Sequence, residues 1–253
     1  MNDSYSMPPN LPPPLPPTAG FSGPPPLGGD PSERAPIPHV VAAIDAILRH
    51  PRRIRCQLTQ PGAAKLIARM LLVTVGCSLI YGVVVGTFSG GAQLWGAPAK
   101  IAAGLVVSAL ICLPSLYIFT CLSGSQAHLV EVCGLLAGLL MLMTILLIGF
   151  APVAWIFSQS TESLAWMGTL HLLFWFVATL FGLRFLAAGF ARPQAGLPWG
   201  YRAWVLIFLL VTAQMTTALR PIVGRADTFL PREKQFFLEH WLNSVDAPDL
   251  RSR

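Results

Sequence analysis

The chain has 253 residues, of which 54% are hydrophobic and only 11% are charged, and its formal net charge is +6. Soluble domains carry about 25% charged residues, so this composition excludes an ordinary soluble protein. Between Asp45 and Asp227 the only carboxylates are Glu131 and Glu162, and so few acids cannot maintain a water-exposed surface. We therefore predict an integral membrane protein with an all-α fold.

Residues 1–38 form a proline-rich block that contains 13 of the 23 prolines. Proline at this density disfavours helices and sheet ladders and favours an extended polyproline-II chain. We predict a disordered, proline-rich cytoplasmic tail. It acts either as a solvated spacer or as a docking peptide for a domain that binds proline-rich segments in an aromatic groove.

Residues 39–65 combine an apolar periodicity with a run of positive charge. In the sequence "HVVAAIDAILRH", the aliphatic residues recur at helical spacing, and Pro51 predicts the end of that helix. We expect this amphipathic helix to lie on the inner membrane face or against the helix bundle. Six cations follow without an acid among them: Arg49, Arg52, Arg53, Arg55, Lys65 and Arg69.

Residues 66–222 are predicted to form a membrane domain with five transmembrane helices, because a span needs about 20 apolar residues and lipid leaves no partner for free backbone groups. The predicted spans are Leu66–Phe88, Ile101–Leu122, Leu129–Phe150, Ala165–Ala188 and Ala203–Leu219. The third apolar segment can continue through "APVAWIF", with a kink at Pro152.

The six-cation run predicts the orientation of the chain, because cytoplasmic loops are enriched in lysine and arginine. It places the amino end in the cytoplasm and, with five spans, the carboxyl end outside. We interpret these cations as a topology signal that also contacts anionic lipid headgroups, and we predict no nucleic-acid partner. The final residues, 223–253, are predicted to be an outward tail with an interfacial helix in "PREKQFFLEHWLNSV".

Small residues recur every four positions in the first three spans, which is typical of close helix packing in lipid. The positions are Ser78, Gly82, Gly86, Gly90, Gly104, Ser108, Gly134 and Gly138. The pattern fits packing inside one bundle, and it also fits a seam between two copies of the chain.

The sequence offers little for catalysis, and we predict no catalytic residue, no bound cofactor and no metal site. The predicted spans contain no aspartate, and no cysteine pair has the spacing of metal ligands. Intramembrane polar residues are functional candidates by default. His171, Gln214 and Arg220 are therefore the candidate polar intramembrane site.

Three stretches carry a resemblance to a known family: "RHPRRIR" after the first helix, "YGVVVGTFSGG" at the exit of the first span, and "CLPSLYIFTCLSG" at the close of the second. With the five-span layout, residues 40–220 resemble the Yip (Ypt-interacting protein) domain family, including its bacterial members. The resemblance implies a five-span helical fold without catalytic residues. The eukaryotic members of that family look like partners in membrane trafficking and membrane shaping.

These features lead to a non-catalytic function. We expect a multi-pass protein of a bacterial cytoplasmic (inner) membrane, acting as a scaffold or accessory subunit that organises protein partners or membrane lipid. A protein partner or a homo-oligomer is expected. The alternative is a small channel or transporter that uses the region of His171 and Gln214.

Overall fold

The computed structural model describes residues 27–89, 93–124, 127–160, 164–190 and 199–218. All regular secondary structure within these ranges is α-helical. The helices are α1 (Pro31–Arg34), α2 (Val40–Arg49), α3 (Pro51–Leu58), α4 (Ala63–Ser89), α5 (Gln93–Leu122), α6 (Leu129–Ser160), α7 (Leu164–Phe190) and α8 (Trp199–Ala218).

Residues 27–58, which we call the cap, contain the three short helices. The side chain of Asp30 accepts a hydrogen bond from the backbone N–H of Ser32 at 2.9 Å and so starts α1. α2 and α3 meet at His50, and Pro51 occupies the first turn of α3. Helix α2 buries Ala43, Ala46 and Ile47. The predicted amphipathic helix therefore packs against the bundle, beside α4 and α6.

The five long helices run antiparallel to their chain neighbours. α4 packs against both α5 and α6, while α7 packs on α6 and α8 packs on α5. The cap contacts α4 and α6 at what we call the cap end of the bundle, where α4, α6 and α8 begin and α5 and α7 end. The opposite end is the far end. α6 is the central helix, with buried residues from Val132 to Ala154.

Four helices are long and apolar enough to cross a membrane, judged by length and composition. The qualifying segments are Ala63–Thr87, Leu94–Leu122, Leu129–Ser160 and Trp166–Phe190. Large apolar side chains on their outer faces, such as Leu72, Ile80 and Leu110, are more than half exposed. Such a surface is typical of contact with lipid and not with water. The chain is thus a multi-pass helical membrane protein.

The expected fifth span is not confirmed. The apolar part of α8, Trp199–Met215, is shorter than the others. At about 1.5 Å per residue it is about 26 Å long, less than the hydrocarbon thickness of about 30 Å.

Two helices are longer than the sequence patterns indicated. α5 begins at Gln93, ahead of the predicted start of the second span at Ile101, and it contains Pro98. Proline lacks a backbone N–H, but Pro98 lies directly against Gly82 of α4, where only a glycine leaves room. α6 continues through Pro152 to Ser160, as the apolar sequence allowed.

Residues 27–38 also differ from the expected tail, because they are part of the cap. They form α1 and contact α3. The rest of the predicted tail, residues 1–26, lies outside the described residues. So do Gly90, Arg220 and the predicted outward tail with its interfacial helix.

Candidate functional site

The first candidate site is the cap, where most of the six cations of the basic run bind other groups of the same chain. Arg52 forms an ion pair with Glu33 through its Nε atom. The other carboxylate oxygen of Glu33 accepts a hydrogen bond from the backbone N–H of Gly28 at 2.6 Å. Glu33 is only 8% exposed. This acid, which lies 19 positions before Arg52, therefore fixes the start of the cap to α3.

Residues Ala35–Pro38 are a non-helical segment between α1 and α2 that we call the strap. Arg53 donates hydrogen bonds to the carbonyl of Ala35 at 2.9 Å and to that of Pro36 at 2.7 Å. Gln57 also donates to the carbonyl of Ala35, and it accepts a bond from the N–H of Ile37 at 3.2 Å. The strap is therefore held by side chains that bind its backbone.

The remaining cations of the run fall into two groups. Arg69 donates to the carbonyl of Ile37 at 2.5 Å, and Arg55 donates to the carbonyl of Ala188 near the end of α7. Burial lowers the pKa of the Arg55 guanidinium, and the charge of Arg52 lowers it further. Arg49 forms an exposed ion pair with Asp45 at 3.1 Å, and Lys65 is exposed.

The small residues predicted to pack helices lie at several contacts within the chain. A Cβ atom added at Gly82 would meet the Cα of Pro98 at 2.4 Å. At Gly138 it would meet the ring of Phe185 at 2.4 Å, and at Gly134 the side chain of Leu58 at 2.3 Å. The other described positions of this pattern are all buried: Ser78, Gly86, Gly104 and Ser108.

The second candidate site is a polar pair that joins α4 to α7 towards the far end. The Oη atom of Tyr81 lies 2.7 Å from Nδ1 of His171, and the two rings meet edge to face. Nε2 of His171 is buried and has no hydrogen-bond partner in the part of the chain that the structure describes. Gln214 lies on α8, is half-buried and interacts with another group of the chain. The third residue of the predicted polar site, Arg220, lies outside the described residues.

Most of the buried serine and threonine hydroxyl groups of the bundle bond to their own helices. Each donates to the carbonyl of the residue four positions earlier, at 2.6–3.0 Å: Thr74, Ser78, Ser108, Thr120, Thr144 and Thr212. Thr179 instead lies 3.6 Å from the sulfur of Met143. A hydroxyl that donates to its own backbone has its proton committed, which suits packing better than it suits a polar pathway.

Two buried residues were missed by the sequence reasoning. Lys100, which directly precedes the predicted second span, is 1% exposed inside α5. Trp204 of α8 is fully buried and donates its indole N–H to the carbonyl of Cys112 at 2.9 Å. The position of Lys100 inside an otherwise apolar 29-residue segment was visible in the sequence. The indole bond of Trp204 had no sequence signal, because its acceptor is a backbone carbonyl.

Within the described ranges, no group of three or more His, Cys, Asp or Glu side chains converges on a point that could hold a metal ion. The described free cysteines include two buried ones, Cys56 and Cys112.

Comparison with known proteins does not place the chain: no family model, no curated protein and no solved structure matches it. The fold and the sites therefore define a class, a helical multi-pass membrane protein with a packed cap at one end. The resemblance to the Yip domain family stays a prediction.

Proposed function

We propose that this chain is a non-catalytic membrane scaffold, or an accessory subunit, that organises protein partners at a bacterial cytoplasmic membrane. In this proposal α8 is a fifth span, the cap and the proline-rich tail face the cytoplasm, and the carboxyl end lies outside. The membrane domain is a platform, and the tail is the arm through which a partner is engaged.

One observation carries the proposal, namely how the polar groups of the bundle are used. Six buried hydroxyls bond to their own helices, and glycine contacts such as Gly82 on Pro98 bring the helices into direct contact. Polar side chains whose hydrogen bonds are made within their own helix support rigid packing of the bundle. The charged groups concentrate instead at the cap, where a soluble partner would meet the protein.

The α8 helix is short for a span, but length alone does not exclude it. Predicted spans range from about 17 residues upward, and a short helix is accommodated by local thinning of the bilayer. The contacts of α8 also support membrane insertion. Trp204 and Phe208 are fully buried against the bundle, while Leu206 on the opposite face is 70% exposed. An exposed leucine on a helix packed in this way is suited to lipid.

The alternative function is a small channel or transporter, and one observation favours it. The Nε2 atom of His171 is buried without a described partner, and an unpaired buried polar group is unfavourable unless function retains it. A permeation site there would depend on the imidazole.

Purification of the full chain in native lipid nanodiscs, followed by mass spectrometry of everything that co-purifies, tests the scaffold proposal. The variant to compare lacks residues 1–26, so that the cap keeps its contacts. A scaffold predicts a stoichiometric partner that is lost from the shortened chain. A homo-oligomer without any partner, together with liposome flux that His171→Ala abolishes, would overturn the scaffold proposal and support the channel.

A further inference from the structure

The side chains that hold the strap form a recognition site for a proline-rich backbone. We call Arg53, Gln57 and Arg69 the strap site. Together they supply hydrogen-bond donors to three consecutive carbonyls, those of Ala35, Pro36 and Ile37, and one acceptor to the N–H of Ile37. A segment with proline on both sides of one other residue has several free carbonyls and a single N–H. The donors and the acceptor of the strap site match that pattern.

The conformation of the strap and its apolar anchor fit the same description. Ala35 has φ −58° and ψ 129°, close to polyproline II, and a residue before proline favours this region. The side chain of Ile37 is only 3% exposed and belongs to the hydrophobic core. Pro36 and Pro38 are exposed. The site therefore binds the backbone and one aliphatic side chain, and the prolines contribute mainly their fixed shape.

The same pattern occurs once more in this chain. Residues Pro13-Pro14-Leu15-Pro16 repeat the order of Ala35-Pro36-Ile37-Pro38, with an aliphatic residue between two prolines. A leucine at the anchor position is close in volume to isoleucine, a type of exchange that cores tolerate. Leu15 carries the one backbone N–H of its segment, as Ile37 carries the one N–H between the two prolines of the strap.

We propose that the strap site has a second occupant, the Pro13–Pro16 segment of the same chain, which exchanges with the strap. A segment tethered to its site has an effective concentration in the millimolar range, which favours the chain's own tail over the tail of another copy. The strap is connected to the site by a shorter tether than the tail segment, because α2 begins two residues after Pro38. We therefore expect the strap to occupy the site most of the time. The inference rests on the proposed function: exchange would hold the docking arm against the cap and withdraw it from partners.

Photo-crosslinking in the full chain tests the exchange. A benzophenone amino acid replaces Thr18, next to the segment, and the crosslinked peptides are mapped in nanodiscs. Ile37→Ser weakens the anchor of the strap, since burial of such a side chain shifts an equilibrium by about tenfold or more. We expect crosslinks to residues 51–69 to rise about tenfold in Ile37→Ser and to fall back when Leu15→Ser is added. No rise, or a rise that Leu15→Ser leaves unchanged, would overturn the inference.

Two further measurements separate the remaining outcomes. In a mixture of two differently tagged copies, crosslinks within one copy support the inference, and crosslinks found only between copies contradict it. If Ile37→Ser fails to fold, a synthetic peptide of residues 8–20 at millimolar concentration is added to the unmodified chain. It should speed hydrogen exchange at the Ile37 amide, whereas the Leu15→Ser peptide should not. An unchanged exchange rate would count against the site.

The experiments distinguish failure of the exchange at the strap site from failure of the scaffold proposal. A partner that depends on residues 1–26, without any exchange at the strap site, keeps the scaffold and removes this inference. Exchange without a partner keeps the strap site and removes the docking arm.

Discussion

The hydroxyl of Tyr81 on α4 and Nδ1 of His171 on α7 lie 2.7 Å apart, and this pair links two helices that both pack on α6. Tyr81→Phe removes the bond and leaves Nδ1 of the imidazole buried. Hydrogen bonds between membrane helices contribute about 0.6 kcal/mol on average, and an unpaired buried nitrogen adds to the loss. We expect Tyr81→Phe to destabilise the folded protein by about 1 kcal/mol, measured as unfolding in mixed micelles.

A double-mutant cycle provides the control for this pair. In a chain that already carries His171→Leu, Tyr81→Phe should have a clearly smaller effect, because its partner is gone. Equal effects in both backgrounds would show that the two groups are not coupled.

The contact between Gly82 and Pro98 should make α4 sensitive to a single methyl group. A Cβ atom at Gly82 would meet the Cα of Pro98 at 2.4 Å, whereas one at Gly76, on the same helix, would have nothing within 4 Å. Overpacking typically costs about 1–3 kcal/mol, so Gly82→Ala should lower the unfolding free energy by that amount. Gly76→Ala should leave it unchanged or slightly raised, since alanine favours helices. Similar thermal stability for the two variants would contradict the close approach of α4 and α5.

The ion pair of Glu33 and Arg52 should hold the first part of the cap. Glu33→Gln keeps the shape of the side chain and removes its charge. Hydrogen bonds to charged groups contribute about 1.5–3 kcal/mol, so hydrogen exchange of the amides in residues 28–37 should accelerate by about tenfold or more.

The matched control for the cap is Asp45→Asn. This change removes the exposed ion pair with Arg49, in which the side chains are 77% and 51% exposed for Arg49 and Asp45. Exposed pairs contribute little, so the exchange rates should not change. An equal response to Asp45→Asn and Glu33→Gln would mean that charge in general, and not the buried pair, holds the cap.

The indole of Trp204 should contribute to the attachment of α8. Trp204→Phe keeps an aromatic ring beside Phe208 but removes the N–H that donates to the carbonyl of Cys112. We expect a loss of about 1 kcal/mol in unfolding free energy. Trp199→Phe, on the same helix at a residue 78% exposed, should have almost no effect, and a comparable loss there would argue against a role for the indole bond.

Sequence periodicity and composition predicted the long helices well, because length and apolarity are properties of each segment alone. The same reasoning predicted α2 and its end at Pro51. It did not predict which groups the arginines of the basic run bind. Glu33 and the strap carbonyls lie 17 or more positions away from their arginine partners. Membrane topology already explains positive charge before a span. The local sequence therefore did not indicate that these arginines bind groups of the cap.

The start of α5 and the site at His171 show a second limit of prediction from sequence. The second span was predicted to begin at Ile101, whereas α5 begins at Gln93 and includes Pro98, whose contact with Gly82 is a tertiary feature. Likewise, His171 was a candidate because of its residue type, whereas its pairing with Tyr81 depends on how α4 and α7 are placed around α6. Whether the small residues pack one bundle or join two copies was left open, and the contacts at Gly82, Gly134 and Gly138 are all within one chain.

We propose that five helices cross the bilayer, with the cap and tail on the cytoplasmic side and the carboxyl end outside. The most direct test replaces the five native cysteines and introduces one new cysteine, at Ser4 or at Ser252. A membrane-impermeant maleimide is then applied to intact and to permeabilised cells. Ser252→Cys should be labelled in intact cells, and Ser4→Cys only after permeabilisation. Labelling of both positions only after permeabilisation would mean an even number of spans and would contradict the claim.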